Sequence, residues 1–267
     1  MNEFVFAAVF AGVLLAAWGL WRRRGAQDAA LLPLEWRTLL ARRLGHYPAL
    51  DEGLRHRFER RVQQFLRDKH FYGCSGLTVS AEMRVLIAGM ACLLVLRPEA
   101  RVFPHLRSVL LYPTAFWVRH HEPDEIGLVY DEEVLQVGES QEWGRVVLSW
   151  EDVEAALNGD PVNVVAHEFA HQLDESEGAP ALADYGRWSA VMKQAYDDLR
   201  ANGSSVLDDY GAEGPAEFFA VATESYFQRG AELQIHHPAL YELLKSFYLL
   251  DTARHPPATP APASPAP

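Results

Sequence analysis

Five residues constrain this chain more than any others: His167-Glu168-Phe169-Ala170-His171, preceded by the uncharged Val164-Val165-Ala166. At 3.6 residues per turn, positions four apart stand about 40° from each other around a helix, so the two imidazoles converge on one point if the segment is helical. Glu168 then lies on the rim of that point. Two imidazoles with a carboxylate beside them form half of a zinc site that carries its own general base. From Asn163 to Leu173 the only charge is Glu168, which is the composition of a helix buried beneath a site and not of a solvated face.

A tetrahedral catalytic zinc keeps one position for water and takes three ligands from the protein, so a third must come from elsewhere in the chain. A histidine in the pattern His-x-x-Gly-x-x-His, counted from His171, is excluded because Asp174 and Glu177 occupy those positions. An aspartate three residues before a Tyr-Gly pair fails as well: Leu207 stands there, with Asp208 and Asp209 out of register ahead of Tyr210-Gly211. The segment from Gly214 to Glu224 remains, and it reads as a helix with Pro215 first and Glu217 in its first turn. Glu217 has an ordinary role available there, since free backbone N–H groups and the helix dipole favour a carboxylate. Glu224, seven residues on and on nearly the same face, serves equally as ligand or as acceptor for the second nitrogen of a ligand histidine. Asp174, three residues past His171, is a further acceptor of that kind.

Four segments carry a resemblance: HEFAHQLD (His167 to Asp174), DDYGAEGPAEFFAVATESYF (Asp208 to Phe227), LLYPTAFWV (Leu110 to Val118) and GRVVLSWEDV (Gly144 to Val153). From about Trp36 to Asp251 the chain resembles the Mlc titration factor A family of zinc peptidases, itself similar to the catalytic domain of anthrax lethal factor. The resemblance implies an α+β, zincin-like fold, mostly helical with a small sheet. It also implies one zinc ion held by His167, His171 and Glu217, with Glu168 as general base. Tyr210, seven residues before Glu217, matches the family's tyrosine and is placed to donate to a developing oxyanion. The implied activity is hydrolysis of a peptide or protein substrate; the family's name implies an alternative, a binding protein that sequesters a transcriptional repressor, with proteolysis secondary. Between Asp174 and Trp188 the chain departs from the family, carrying a short acidic run where a longer glycine-containing loop is usual. A purely structural ion is disfavoured, because closed structural sites take four protein ligands and usually cysteines.

A peptidase also needs a surface for an extended substrate. Arg145 to Trp150 has strand composition, and an exposed edge at Val146, Val147 and Leu148 would pair with a peptide backbone. Further strands are expected at Val109–Tyr112 and Ile126–Tyr130. Helical spacing runs from Trp36 to Asp68 with a break at Tyr47-Pro48, Ser80 to Leu96 is a strongly apolar helix, and helices dominate from Glu151 to Leu250, the last starting near Pro238. Residues 33–252 are expected to form a single domain, followed by a Pro- and Ala-rich disordered tail over 253–267.

The N-terminus is the second informative region. Phe4 to Trp21 contains no charge, a length that spans about 27 Å as a helix, and it ends at Arg22-Arg23-Arg24. A cleavable signal peptide places its positive charges before the apolar run, whereas here Glu3 precedes it and the arginines follow. Residues 1–24 therefore read as an uncleaved transmembrane anchor, followed by a linker over 25–32. Positive charge stays inside, so the expected location is the bacterial inner membrane, single-pass, with the catalytic domain cytoplasmic. Only Cys74 and Cys92 are present, which fits a reducing compartment. The net charge is −12, yet half of the 24 Lys and Arg fall between Arg22 and Lys69, a segment readable either as a headgroup contact or as a solvated basic face. The acidic remainder argues against nucleic acid as a direct partner.

Overall fold

The computed structural model describes residues 32–114, 144–177 and 185–255. Its first helices are α1 (Leu34–Arg43), α2 (His46–Ala49) and α3 (Glu52–Asp68). The breaks fall at Leu44-Gly45 and Leu50-Asp51, not at Tyr47-Pro48. Pro48 sits inside the first turn of α2, where its missing N–H has no intrahelical acceptor to disappoint. Asp51 then starts α3 by accepting a hydrogen bond from Leu54 N at 2.9 Å. Leu32, read as linker, is buried in the core because it is apolar and abuts α1.

Several basic residues of this region are turned inward, while Arg42, Arg60 and Arg67 are exposed. Arg37 pairs with Glu59 at 3.1 Å and Arg43 with Glu154 at 2.7 Å, while Arg57 and Arg61 donate to the carbonyls of Leu96 and Arg97. They tie α1 and α3 to the rest of the domain. Among the described residues no helix is long and apolar enough to cross a membrane; Phe4 to Trp21 lies outside them.

The apolar run gives α4 (Ala81–Leu93), begun by Ser80, whose Oγ accepts from Met83 N at 3.1 Å. From Val85 to Leu93 every residue is buried, so α4 is a central helix, packed against α1, α3 and the helix that carries His167. Strands β1 (His70–Gly73), β2 (Ser108–Tyr112) and β3 (Arg145–Ser149) form a parallel sheet in that order, with Phe71, Val109 and Val146 in register. Strand β1 is absent from the sequence reading. It follows Lys69, whose buried Nζ donates to the carbonyls of Phe103 and Leu106 and fixes the chain beside β2. β3 ends one residue earlier than expected because Ser149 caps α5 (Trp150–Leu157), its Oγ accepting from Asp152 N. The expected strand Ile126–Tyr130 lies outside the described residues. Among those described β3 is an edge: Val146 and Leu148 point into the core, and Val147 is 41 % exposed.

The second half is helical: α6 (Val164–Glu177), α7 (Tyr185–Asn202), a 3-10 turn at Asp209–Ala212, α8 (Pro215–Gln228), α9 (Gly230–His236) and α10 (Pro238–Tyr248). Helices α6 and α8 pack on each other, and three fully buried tyrosines close the core behind α8. Each hydroxyl has a partner, as burial requires: Tyr226 with Leu250 O, Tyr241 with Asp251 and Tyr248 with Thr223. Ala253 packs on this core and its N–H donates to Tyr241 at 3.0 Å, so the packed domain runs past residue 252.

Candidate metal centre

Helix α6 is aimed by its N-terminal end and its back. Asn163 caps it, Oδ1 accepting from Ala166 N at 2.9 Å. On the face away from the histidines, Phe169 is fully buried, its ring 4.8 Å from Phe103 and 5.6 Å from Phe65. This aromatic plug prevents the helix from rolling, and the opposite face therefore holds His167 and His171 in place. Their ring centroids are 4.9 Å apart and their Nε2 atoms 3.2 Å.

Helix α8 supplies the third group. Glu217 Oε2 lies 3.3 Å from His167 Nε2 and 3.4 Å from His171 Nε2. This carboxylate oxygen is buried and has no hydrogen-bond partner, an expensive arrangement for a charged atom unless a cation completes it. The three atoms form a nearly equilateral triangle. Edges of that length belong to a tetrahedron whose vertices stand about 2.0 Å from its centre, the range of Zn–N and Zn–O bonds. His167, His171 and Glu217 are thus a group able to hold a metal ion, and their two imidazoles and one carboxylate suit zinc chemistry.

Glu224, two turns further along α8, stands behind His167. Oε1 accepts from Nδ1 at 2.5 Å and Oε2 accepts from the backbone N–H of Asn163 at 3.1 Å. The first bond places the proton on Nδ1 and leaves the Nε2 lone pair facing Glu217. The second joins the same carboxylate to the start of α6. Of the two carboxylates that α8 offers, Glu217 faces the point where the imidazoles converge and Glu224 backs one of them.

Burial pushes the Glu168 carboxyl above its usual range; the adjacent imidazoles oppose this, and Glu217 and Glu224 reinforce it. For His167, burial works to lower the imidazole, but the bond to Glu224 and the charges of Glu224, Glu168 and Glu217 outweigh it and the net direction is upward. Tyr210 lies on the 3-10 turn, its N–H accepted by Asp208 at 2.9 Å and its ring 6.0 Å from that of His167. Gly211 eases this: a Cβ there would sit 3.2 Å from Val221 and Leu199, a tight contact to which those neighbours would have to yield. Burial, then Glu217, Glu213 and Glu168, raises the Tyr210 phenol, which keeps its proton at neutral pH.

The structure therefore gathers His167, Glu168, His171, Tyr210, Glu217 and Glu224 around one point. Asp174 is not among them. It is exposed one turn beyond His171, and among the described residues no hydrogen bond joins it to either imidazole. Val146 and Leu148 lie in the core and β3 packs on the flank of α6. Asn163 and Phe169 escaped the sequence reading as site-building residues, although an Asn just ahead of an apolar helix is a readable cap signal.

Two helices that present paired imidazoles, a carboxylate and a neighbouring glutamate define a metallopeptidase-type centre. The chain belongs to the glucose-regulated metallo-peptidase M90 family, whose profile matches residues 18–249. It is similar to the uncharacterized protein slr2042 of Synechocystis, 35 % identical over 92 % of this chain and 96 % of that one. It is also similar to Mlc titration factor A of Serratia proteamaculans, 32 % identical over 86 % and 92 %, and of Cronobacter sakazakii, 30 % identical over 85 % and 90 %.

Proposed function

We propose that this protein is a zinc-dependent peptidase, tethered to the bacterial inner membrane through Phe4–Trp21 with its catalytic domain in the cytoplasm. One observation carries the catalytic part: the buried, unpaired Glu217 oxygen closes a triangle with two imidazole nitrogens while Glu168 stands beside it. His167, His171 and Glu217 hold the ion, which when bound polarises a carbonyl and acidifies water. The chain's own groups do the rest. Glu168, its affinity for protons raised by burial, takes the proton of the water that attacks the scissile carbonyl and passes it to the departing amine. Tyr210 keeps its phenolic proton and donates to the oxygen on which charge develops. Val147, exposed on β3, marks where an extended peptide lies.

The test is Glu168→Gln. It is expected to retain zinc and to lose hydrolysis of small peptides and amino-acid anilides by at least about 100-fold; a variant that keeps wild-type turnover overturns the mechanism. Reporter fusions at both ends of the full chain check the topology, with activity expected for a cytoplasmic reporter only at the C-terminus.

A second reading, repressor sequestration, is favoured by the name of the Serratia and Cronobacter relatives. A metal-free His167→Ala variant that still captures a purified repressor of that type supports it, and loss of capture together with metal ties binding to the centre.

A further inference from the structure

One turn past His171, helix α6 opens onto a cavity of about 530 Å³ whose walls come from α6, α7, α8 and α10. Leu173, Trp188, Met192, Tyr196, Phe218 and Phe247 make it an apolar, largely aromatic chamber. Two of its lining residues adjoin the centre along the chain. Phe218 follows Glu217 directly, and Asp174, at the mouth, lies three residues and so about 4.5 Å along the axis from His171.

The walls are fixed. Trp188 and Phe247 stand 4.8 Å apart, Phe219 meets both edge-on at 6.1 and 6.2 Å, and Tyr196 meets Phe218 at 5.6 Å. Rings locked against one another do not fold into the space they enclose, so the cavity is preformed. Of its charged neighbours, Lys193 Nζ is 2.5 Å from the Asp197 carboxylate and the Arg200 guanidinium lies over the Tyr196 ring, while Asp174 is exposed at the mouth.

We infer that this cavity receives a large uncharged side chain, aromatic or long aliphatic, from the residue that flanks the bond to be cut. The inference rests on the peptidase reading and deepens it: peptides with such a residue beside the scissile bond are the preferred substrate class. Full burial of one apolar side chain strengthens binding by roughly 10- to 150-fold over alanine.

The probe is a peptide series in which Phe and Ala exchange at each position in turn, titrated calorimetrically into zinc-loaded Glu168→Gln protein. At one position the Phe peptide is expected to bind at least 10-fold tighter. Ser189→Trp, at the exposed rim, and Met192→Trp, in the wall, are then introduced into the same background, with zinc content and melting temperature as checks on folding. Each should bring the Phe-to-Ala ratio below about threefold. Equal binding of Phe and Ala peptides at every position overturns the inference, and so does a preference that survives both substitutions in folded protein. Cleavage by the wild-type protein separates the two ideas. If the preference and its loss are both seen but nothing is cut, the cavity stands and the peptidase reading falls; if peptides are cut without preference, the reverse holds.

Discussion

Glu224→Gln isolates the carboxylate behind His167 without changing its size. In the native protein its two oxygens accept from two donors, His167 Nδ1 and the Asn163 amide. Glutamine has one acceptor oxygen and one NH2, so one of those donors must face another donor. If the amide oxygen stays with Asn163, the imidazole loses its orienting partner. If it stays with His167, the start of α6 is left with an unmet N–H. Either choice costs about 1–3 kcal/mol, and replacement of an acceptor behind a metal-bound histidine lowers metal affinity by roughly 10- to 100-fold. The measurement is zinc affinity by competition with a chromogenic chelator, for wild type, Glu224→Gln and Glu217→Gln. The expected order is wild type, then Glu224→Gln weaker by one to two decades, then Glu217→Gln weaker still. Affinity within threefold of wild type for Glu224→Gln in a folded protein would refute the argument that this carboxylate sets the ligand's orientation.

On the proposed mechanism, in which the hydroxyl meets charge that develops only in the transition state, Tyr210→Phe is expected to lower kcat by roughly 10- to 1,000-fold with little change in KM; a change in KM alone would count against it. Phe169→Ala removes the plug behind the histidines and should cost about 3–5 kcal/mol in urea-unfolding stability, with zinc affinity falling as the helix gains freedom to roll. His46, whose Nε2 donates to Phe227 O at the end of α8, is held by burial at about 4 against the usual 6.5. The unfolded chain takes up that proton first, so stability is full above about pH 6.5 and falls as pH drops toward 4, by about 3 kcal/mol in all. Urea unfolding of wild type beside His46→Gln at pH 7 and pH 4 checks this; equal pH dependence in the two proteins contradicts it.

The sequence disclosed those parts of the molecule whose signals are local. The pentapeptide, the apolar run that became α4 and the proline that opens α8 each follow from neighbours within a turn or two. Strand β1 was not legible, since His-Phe-Tyr-Gly has no strong pattern of its own and is held by a buried lysine reaching residues far along the chain. The residues alone left the choice between Glu217 and Glu224 open for the same reason, and only the family resemblance favoured Glu217. Both lie on one face of α8, and only the packing of α8 on α6 decides which carboxylate meets the Nε2 atoms and which meets Nδ1. Asp174 looked like a partner for an imidazole because of its spacing, but the ring it follows points across to α8 and not along its own helix.

The ligand set is split between two helices with all of α7 and the 3-10 turn between them in sequence. A chain emerging during synthesis presents two imidazoles long before Glu217 appears, and a two-ligand site holds an ion far less firmly than three. Metal capture is therefore a late event in folding, contingent on the docking of α8. Bound metal in a preparation then counts molecules that have completed their tertiary structure, and a chain truncated before Pro215 should emerge metal-free whatever zinc surrounds it.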